Sequence, residues 1–255
     1  MIGPVGAITT ALTPAIEIRG LDFRYAPGEP AVLADLHLMV PRGVRCLLVG
    51  RNGAGKTTLL AALAGRHMVA DAAVRVLGQP AFSDTSLVDR VAFIGGNFPF
   101  DVDLRVEEIL AAQRGVEPAR QARLMAVLDV DPGWRMNRVS DGQRRRVQIL
   151  LSLLRPAELL LLDEVTTDLD VLARADLLAF LRREAEERGA TIFYATHILD
   201  GMEAWASHLA LLEGGAIRRF APLDAIAELT ALRAEGAPSP LLRLVERWLR
   251  SPPAP

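Results

Sequence analysis

An apolar run that leads directly into a glycine-rich segment constrains the fold of this chain more than any other feature. Val44–Val49 has strand length and no polar alternation, which predicts a strand buried on both faces of a sheet. Gly50–Thr57 (GRNGAGKT) follows, and a helical pattern runs over Thr57–Gly65. Glycines let backbone N–H groups turn toward an anion, and a helix N-terminus adds positive partial charge. The sequence therefore predicts a phosphate-binding loop between a strand and a helix.

Individual residues of this loop have predictable roles. Lys56 is expected to reach the β- and γ-phosphates of ATP and to act in catalysis, and the Thr57 hydroxyl to bind Mg²⁺. A chance glycine-rich turn is the alternative, which the strand and helix on either side disfavour. The residues predicted to contact ATP are Gly50, Arg51, Asn52, Gly53, Ala54, Gly55, Lys56, Thr57 and Thr58.

Two further apolar runs end in polar side chains. Leu159–Leu162 is followed by Asp163 and Glu164, and Thr191–Ala195 is followed by His197 with one residue between them. Ligands bind at the carboxyl ends of parallel strands, so we expect these side chains to meet there. Asp163 is predicted to hold Mg²⁺, Glu164 to polarise the attacking water as general base, and His197 to hold the γ-phosphate and the water. Alone, each would more simply be a solvated or capping residue.

The segment Ser140–Gln143 has the spacing of a helix start, with Ser140 as N-cap and Gln143 completing a capping box. A helix N-terminus with a hydroxyl and a glycine amide can also hold a γ-phosphate, so Ser140, Gly142 and Gln143 are predicted ATP contacts. The run Arg144–Arg146 is interpreted as a solvated helix face with some ion pairing. A nucleic-acid partner is disfavoured, because no stacking aromatics accompany the arginines and the net charge is −2.

Tyr25 lies before the phosphate loop, at the end of an alternating strand pattern over Ala15–Tyr25. Its ring is a candidate platform for adenine. The alternative, an aromatic side chain in a strand core, has equal weight.

Strand and helix patterns alternate along the 255 residues, which predicts an α/β fold. We expect a flexible leader over 1–14, an ATPase domain over 15–220 that contains a mostly helical block over 97–156, and a helical tail over 221–255. An apolar stripe on the tail is expected to fold back on its own domain or to contact a partner. Its residues are Leu241, Leu242, Leu244, Val245, Trp248 and Leu249.

The order of these motifs along the chain resembles that in the nucleotide-binding domain of ABC ATPases. The motifs are the phosphate loop, the segment Val139–Gln143, the Asp163-Glu164 pair, the loop Thr167–Asp170 and His197. The amino-acid sequences of these motifs are similar to those of a small soluble class I branch of the family. This branch includes a factor associated with an mRNA-deadenylase complex. The resemblance implies a P-loop NTPase fold with a mixed sheet, an antiparallel N-terminal β part and an inserted helical subdomain. It also implies that each ATP is held between one subunit's phosphate loop and the other's Ser140–Gln143 segment, in a homodimer or heterodimer.

The chain departs from that family at two places. Gly96 stands where family members usually carry a glutamine that binds Mg²⁺, and our hypothesis is that Asn97 or a water replaces it. Asp141 stands in place of a glycine, and its carboxylate would repel a triphosphate unless it points away or pairs with an arginine.

The sequence is compatible with three biological roles. The first is an energising subunit of a membrane transporter, with a permease on the helical block near Phe98, Phe100 and Leu104. For any single one of these three residues, core packing is the favoured interpretation. The second is a cytosolic ATP switch in a non-transport complex, which the missing glutamine favours. The third, a non-hydrolysing module, is disfavoured by Glu164 and His197. The one cysteine and the lack of a transmembrane run predict a cytoplasmic protein, held at a membrane only by a partner.

Overall fold

A computed structural model describes residues 13–96 and 102–250 of the chain. The strands are β1 Ile16–Phe23, β2 Leu33–Val40, β3 Arg45–Val49, β4 Val74–Val76, β5 Gln79–Pro80, β6 Val91–Ile94, β7 Leu159–Asp163, β8 Thr191–Ala195, β9 His208–Glu213 and β10 Ala216–Pro222. The α-helices are α1 Lys56–Leu63, α2 Val106–Ala111, α3 Pro118–Val127, α4 Asp141–Leu153, α5 Val171–Arg188, α6 Met202–Trp205, α7 Ala227–Ala234 and α8 Pro240–Arg250.

The larger sheet has six strands in the order β10-β9-β3-β8-β7-β6. Neighbours run parallel from β9 to β6, and only β10 is antiparallel, because it forms a hairpin with β9. All residues of β7 and β8 are buried, as the continuous apolar runs predict for strands covered on both faces. The carboxyl ends of β3, β7 and β8 therefore lie side by side at one edge.

A second sheet of four strands, in the order β2-β1-β4-β5, is antiparallel throughout. It supplies the predicted antiparallel N-terminal part, so the mixed α/β architecture of a P-loop ATPase is confirmed. The strand β5 was not predicted, because two residues carry no alternating pattern.

Two hydrophobic cores lie on opposite faces of the larger sheet. Alternate residues of β3 divide between them, with Leu47 and Val49 in one core and Cys46 and Leu48 in the other. The antiparallel sheet and α1 cover the second face, while α2 to α8 cover the first. The described helices of the block 97–156 thus share their core with the sheet and the tail. The domain boundaries given above stay predictions.

The tail folds back on its own chain. Leu241, Leu244, Val245 and Trp248 of α8 are buried in the core on the first face, and Leu242 points outward. Within the described residues, no helix is both long and apolar enough to span a bilayer.

Candidate functional site

The phosphate loop connects β3 to α1, and its glycines have different structural reasons. Gly55 has φ +101° and forms the left-handed N-cap of α1, a conformation that L side chains avoid. A Cβ on Gly50 would lie 2.4 Å from the main-chain oxygen of Leu212 in β9. Gly53 has φ +79° and open space around it. Gly50 is therefore needed for close packing of the loop on β9, and Gly53 and Gly55 for the turn itself.

The Lys56 side chain arches back across the loop. Its Nζ donates to the main-chain oxygens of Gly50 at 2.8 Å and Arg51 at 3.2 Å. The ammonium group therefore lies inside the curve of the loop, close to the N-terminus of α1. Positive charge and N–H groups converge there, which suits a phosphate group.

Thr57 and Asp163 come together from α1 and β7. The Thr57 side chain hydrogen-bonds the Asp163 carboxylate and lowers its pKa, but burial has the larger effect and raises the pKa above the ordinary value. Asp163 is 8% exposed, so its charge is poorly hydrated. A hydroxyl and a carboxylate are oxygen ligands of the kind that Mg²⁺ binds, and a divalent cation would offset the cost of the buried charge. This pair fits the predicted metal position.

Glu164 and His197 meet at the ends of β7 and β8, whose register pairs Asp163 with Ala195. The Glu164 Oε2 lies 3.0 Å from His197 Nδ1 and accepts a hydrogen bond from the His197 main-chain N–H at 3.3 Å. Glu164 has φ +50°, which is rare for a residue with a side chain. The left-handed turn directs its carboxylate toward His197, and both side chains are partly open to solvent.

A cavity of ≈ 570 Å³ lies beside these groups. It is bounded by residues from α1, the ends of β6 and β7, the start of α4 and the loop before α5. They are Thr57, Gly96, Asp141, Arg144, Arg145, Gln148, Asp163, Glu164, Thr167 and Asp168.

The start of α4 has the predicted capping box. The Ser140 hydroxyl accepts from the Gln143 N–H at 3.3 Å, and the Gln143 Oε1 accepts from the Ser140 N–H at 2.9 Å. Within the described chain, neither side chain hydrogen-bonds the phosphate loop. Asp141 is exposed and makes no ion pair with a described residue, so it is not neutralised by an arginine. Asp141 nevertheless borders the same cavity as Thr57, so the helix start lies beside its own site without a side-chain hydrogen bond to the loop.

Tyr25 is 60% exposed, so it is not the core aromatic of the alternative interpretation. Its hydroxyl lies 2.8 Å from Thr58 Oγ1, and its ring meets those of Phe23 and His67 edge-on. The open face of the ring is compatible with adenine stacking, which stays a prediction.

The Gly95-Gly96 pair closes the far side of the site. A Cβ on Gly95 would lie 2.9 Å from the Asp163 Cβ, and Gly96 has φ +70°. Asn97, Phe98 and Phe100 lie outside the described residues. Leu104, the third predicted partner contact, is 42% exposed.

Among the described residues around the cavity, Arg145 is one that the sequence did not reveal as a site residue. It points inward from α4 to the ends of β6 and β7, whereas the triple arginine run predicts a solvated face. Arg146 points elsewhere and pairs with Asp129 and Asp170. A turn of 100° per residue gives the consecutive arginines different surroundings, and only their position relative to buried strands could have shown this.

These elements define a P-loop ATPase whose nucleotide loop, acidic strand end and histidine share one sheet edge. The chain belongs to the ABC transporter family, whose model matches residues 33–167. This confirms the resemblance to ABC ATP-binding domains and makes the chain an ATP-binding protein of that ATPase family.

Relatives of three kinds are similar along most of the chain. ABC transporter I family member 21 of Arabidopsis thaliana is 48% identical, with 95% of this chain and 88% of that protein covered. CCR4-associated factor 16 of Saccharomyces cerevisiae is 39% identical, with 80% and 77% covered. The nickel import ATP-binding protein NikO of Rhodobacter capsulatus is 34% identical, with 87% and 94% covered.

Solved structures agree with the fold. An ATP-binding subunit of an ABC transporter superposes with a TM-score of 0.76 at 27% identity, covering 93% of this chain and all of that one. An ATP-binding cassette solved as a dimer with ADP and Pi has a TM-score of 0.66 at 20% identity, covering 82% and 98%. At that identity the second structure supports the fold alone.

Proposed function

We propose that this chain hydrolyses ATP with Mg²⁺ at sites shared by two subunits, and that ATP binding drives their association. The observation that carries the proposal is the Glu164 carboxylate, held 3.0 Å from His197 Nδ1 beside Asp163 and the phosphate loop. A general base needs this placement, because it must be oriented next to bound phosphate and metal.

The residues divide the chemistry between them. Lys56 and the N–H groups of the loop bind the β- and γ-phosphates, while Thr57 and Asp163 would hold Mg²⁺. Bound Mg²⁺ would supply neutralisation of phosphate charge. Glu164 accepts a proton from the attacking water as the water oxygen bonds to the γ-phosphorus and the bond to ADP breaks. His197 orients Glu164 through Nδ1, which leaves Nε2 for the phosphate or the water.

The start of α4 supports a shared site. Ser140, Gly142 and Gln143 form a helix N-terminus whose side chains make no hydrogen bond to the phosphate loop among the described residues, and such an N-terminus binds anions. In a symmetric pair, each copy would present this helix start to the other's γ-phosphate. Two equivalent sites follow from one interface.

We propose energising of a membrane transporter as the output, because the relatives include proteins described as import ATP-binding proteins. The chain would then act in the cytoplasm, on the inner face of the membrane, with a permease on the helical block near Leu104. A cytosolic switch in a non-transport complex is the second candidate. The similarity to CCR4-associated factor 16 and the glycine at position 96 favour it.

Glu164→Gln is the variant that tests this function. It should remove phosphate release while a stable dimer forms with ATP and Mg²⁺, seen by light scattering. The matched control is Glu186→Gln, an exposed acid on α5, which should behave as the original protein. A Glu164→Gln protein that stays monomeric at saturating ATP and Mg²⁺, or wild-type protein without Mg²⁺-dependent turnover, would contradict the proposal.

The output is tested with the same variant isolated from cells in the presence of ATP. Co-purification of a polytopic membrane protein supports transport, and co-purification of soluble proteins alone supports the switch.

A further inference from the structure

The guanidinium group of Arg145 joins three parts of the site. From the second turn of α4, Nη1 donates to the main-chain oxygen of Gly96 at 2.9 Å. Nη2 donates to the main-chain oxygen of Asp163 at 3.2 Å, and the Glu164 oxygen lies 3.5 Å from it. A planar guanidinium can bind several acceptors in fixed directions, which a lysine cannot do.

A second side chain holds this fork in place. Gln148, one turn further along α4 and 7% exposed, accepts from Arg145 Nη1 at 2.7 Å. Its Nε2 also donates to the Gly96 oxygen at 3.4 Å. Arg145 and Gln148 therefore clamp the Gly96 carbonyl from one helix face. The Arg145 side chain has one defined position rather than a solvated one.

Two of the acceptors of Arg145, the main-chain oxygens of Asp163 and Glu164, belong to a strained turn. Glu164 has φ +50°, and the surroundings must hold such a conformation in place. Its N–H donates to the Ala195 oxygen at 2.9 Å, and its own carbonyl accepts from Thr167 Oγ1 at 3.1 Å. Arg145 adds the contact that fixes the turn from the side of α4.

The electrostatic setting agrees with this geometry. Burial lowers the pKa of Arg145, and the nearby carboxylates of Asp168 and Asp163 oppose that shift. The guanidinium remains a cation, since its pKa starts so high. A cation in a partly dry site is retained there when acceptors and acidic groups surround it.

We propose that Arg145 is a positioning residue for ATP hydrolysis, which fixes the Asp163–Glu164 turn and the Gly96 turn to helix α4 so that the Glu164 carboxylate faces the attacking water. This inference rests on the proposed function of the same site. Arg145 acts through Glu164, because its guanidinium contacts the main-chain oxygens of Asp163 and Glu164.

Arg45 provides a matched control. It is also an arginine whose guanidinium binds a main-chain oxygen, that of Trp205 at 2.6 Å, and it is 14% exposed. It lies at the start of β3, whereas the phosphate loop follows the end of that strand. Arg45→Ala removes a comparable contact far from the site.

The experiment measures single-turnover ATP hydrolysis, with enzyme in excess over labelled ATP, for Arg145→Ala, Arg145→Lys and Arg45→Ala. Each substitution is also made together with Glu164→Ala. Arg145→Ala should lower the hydrolysis rate constant by about 10- to 100-fold, the scale for a misplaced catalytic group. The Kd for ATP should change by less than about threefold, because only transition-state stabilisation is lost.

The remaining variants locate the effect. Arg145→Lys should lose less than Arg145→Ala, because a cationic donor group remains, and Arg45→Ala should keep the rate of the original protein. With Glu164→Ala already present, Arg145→Ala should lower the rate by less than about twofold, as expected when two residues act as one unit. If Arg145→Ala does not fold, Arg145→Lys carries the same comparison with and without Glu164.

Three results would overturn the inference. The first is that Arg145→Ala lowers the hydrolysis rate constant equally with and without Glu164, and the second is that it raises the Kd for ATP at an unchanged rate constant. The third is that Arg45→Ala lowers the rate constant as much as Arg145→Ala does. Failure of the proposed function is distinguishable, because the wild-type protein would then show no Mg²⁺-dependent hydrolysis or would be indifferent to Glu164→Ala.

Discussion

Arg51 of the phosphate loop donates a hydrogen bond from Nε to the main-chain oxygen of Leu249, across 3.2 Å. Leu249 is the penultimate residue of α8, so the C-terminal helix reaches the nucleotide loop through almost 200 residues of sequence separation. The neighbouring Trp248 lies beneath the guanidinium of Arg219 in β10, 4.6 Å from its ring centre. Helix α8 therefore supports the loop from its outer side as well as completing the core.

Leu244→Ala tests whether α8 belongs to the core. Leu244 is fully buried on the first face of the sheet, so its truncation should lower the free energy of unfolding by about 2–5 kcal/mol. Leu242→Ala is the matched control on the same helix, where the side chain is 41% exposed and about 0.5 kcal/mol is expected. Urea unfolding measures both. Equal losses would mean that α8 does not pack as described.

Gly50→Ala separates packing from phosphate binding in the loop. The added Cβ would lie 2.4 Å from the Leu212 oxygen, a main-chain atom that cannot move without shifting β9. We expect a loss of about 1–3 kcal/mol in stability from this overpacking, with weaker ATP binding. Gly53→Ala meets no neighbour and carries only the strain of φ +79°, about 1–2 kcal/mol. Thermal unfolding with and without ATP compares them, and a milder effect at Gly50 would contradict the packing role.

Local patterns predicted the strands and the ends at which chemistry occurs. Continuous apolar runs identified β3, β7 and β8, and parallel neighbours necessarily bring their carboxyl ends together. The meeting of Glu164 with His197 follows from that rule, although 33 residues separate them. The capping box at Ser140 was likewise predictable from the sequence, because its two partners are three residues apart.

Other features depend on distant contacts that no local pattern contains. The inward direction of Arg145 depends on where α4 lies relative to β6 and β7. The tie between Arg51 and Leu249 depends on the path of the tail. The packing role of Gly50 depends on β9 running beside the loop. A local sequence pattern accounts for each of these residues, so the sequence alone does not indicate its tertiary contact.

Tyr25 should separate stacking from hydrogen bonding. Tyr25→Ala removes the exposed ring and should weaken ATP binding by about 1–3 kcal/mol, the range for a base on an aromatic side chain. Tyr25→Phe keeps the ring and loses only the hydroxyl contact with Thr58 at 2.8 Å. The free energy of ATP binding should therefore weaken by at most about 1.5 kcal/mol. Calorimetric Kd values for ATP measure both. Equal losses in the two variants would exclude stacking as the main role of this ring.

The raised pKa of Asp163 predicts opposite effects of pH on stability and on metal binding. Burial disfavours the charged carboxylate, so without Mg²⁺ the folded state binds the proton more tightly than the unfolded state does. The resulting destabilisation is fully present above the raised pKa of the folded state and is relieved as pH falls through it. Over the same range Mg²⁺ affinity should decrease, because the proton competes for the carboxylate.

Asp163→Asn tests both effects at once. At neutral pH and without Mg²⁺, the free energy of unfolding of the variant should be about 0.5–2 kcal/mol higher than that of the original protein, because the buried charge is removed. It should bind Mg²⁺ with ATP more weakly at every pH and lose the pH dependence that Asp163 confers. Chemical unfolding and magnesium titration across pH measure these effects. A less stable variant in the absence of Mg²⁺ would show that the Thr57 hydrogen bond, rather than desolvation, dominates the energetics of Asp163.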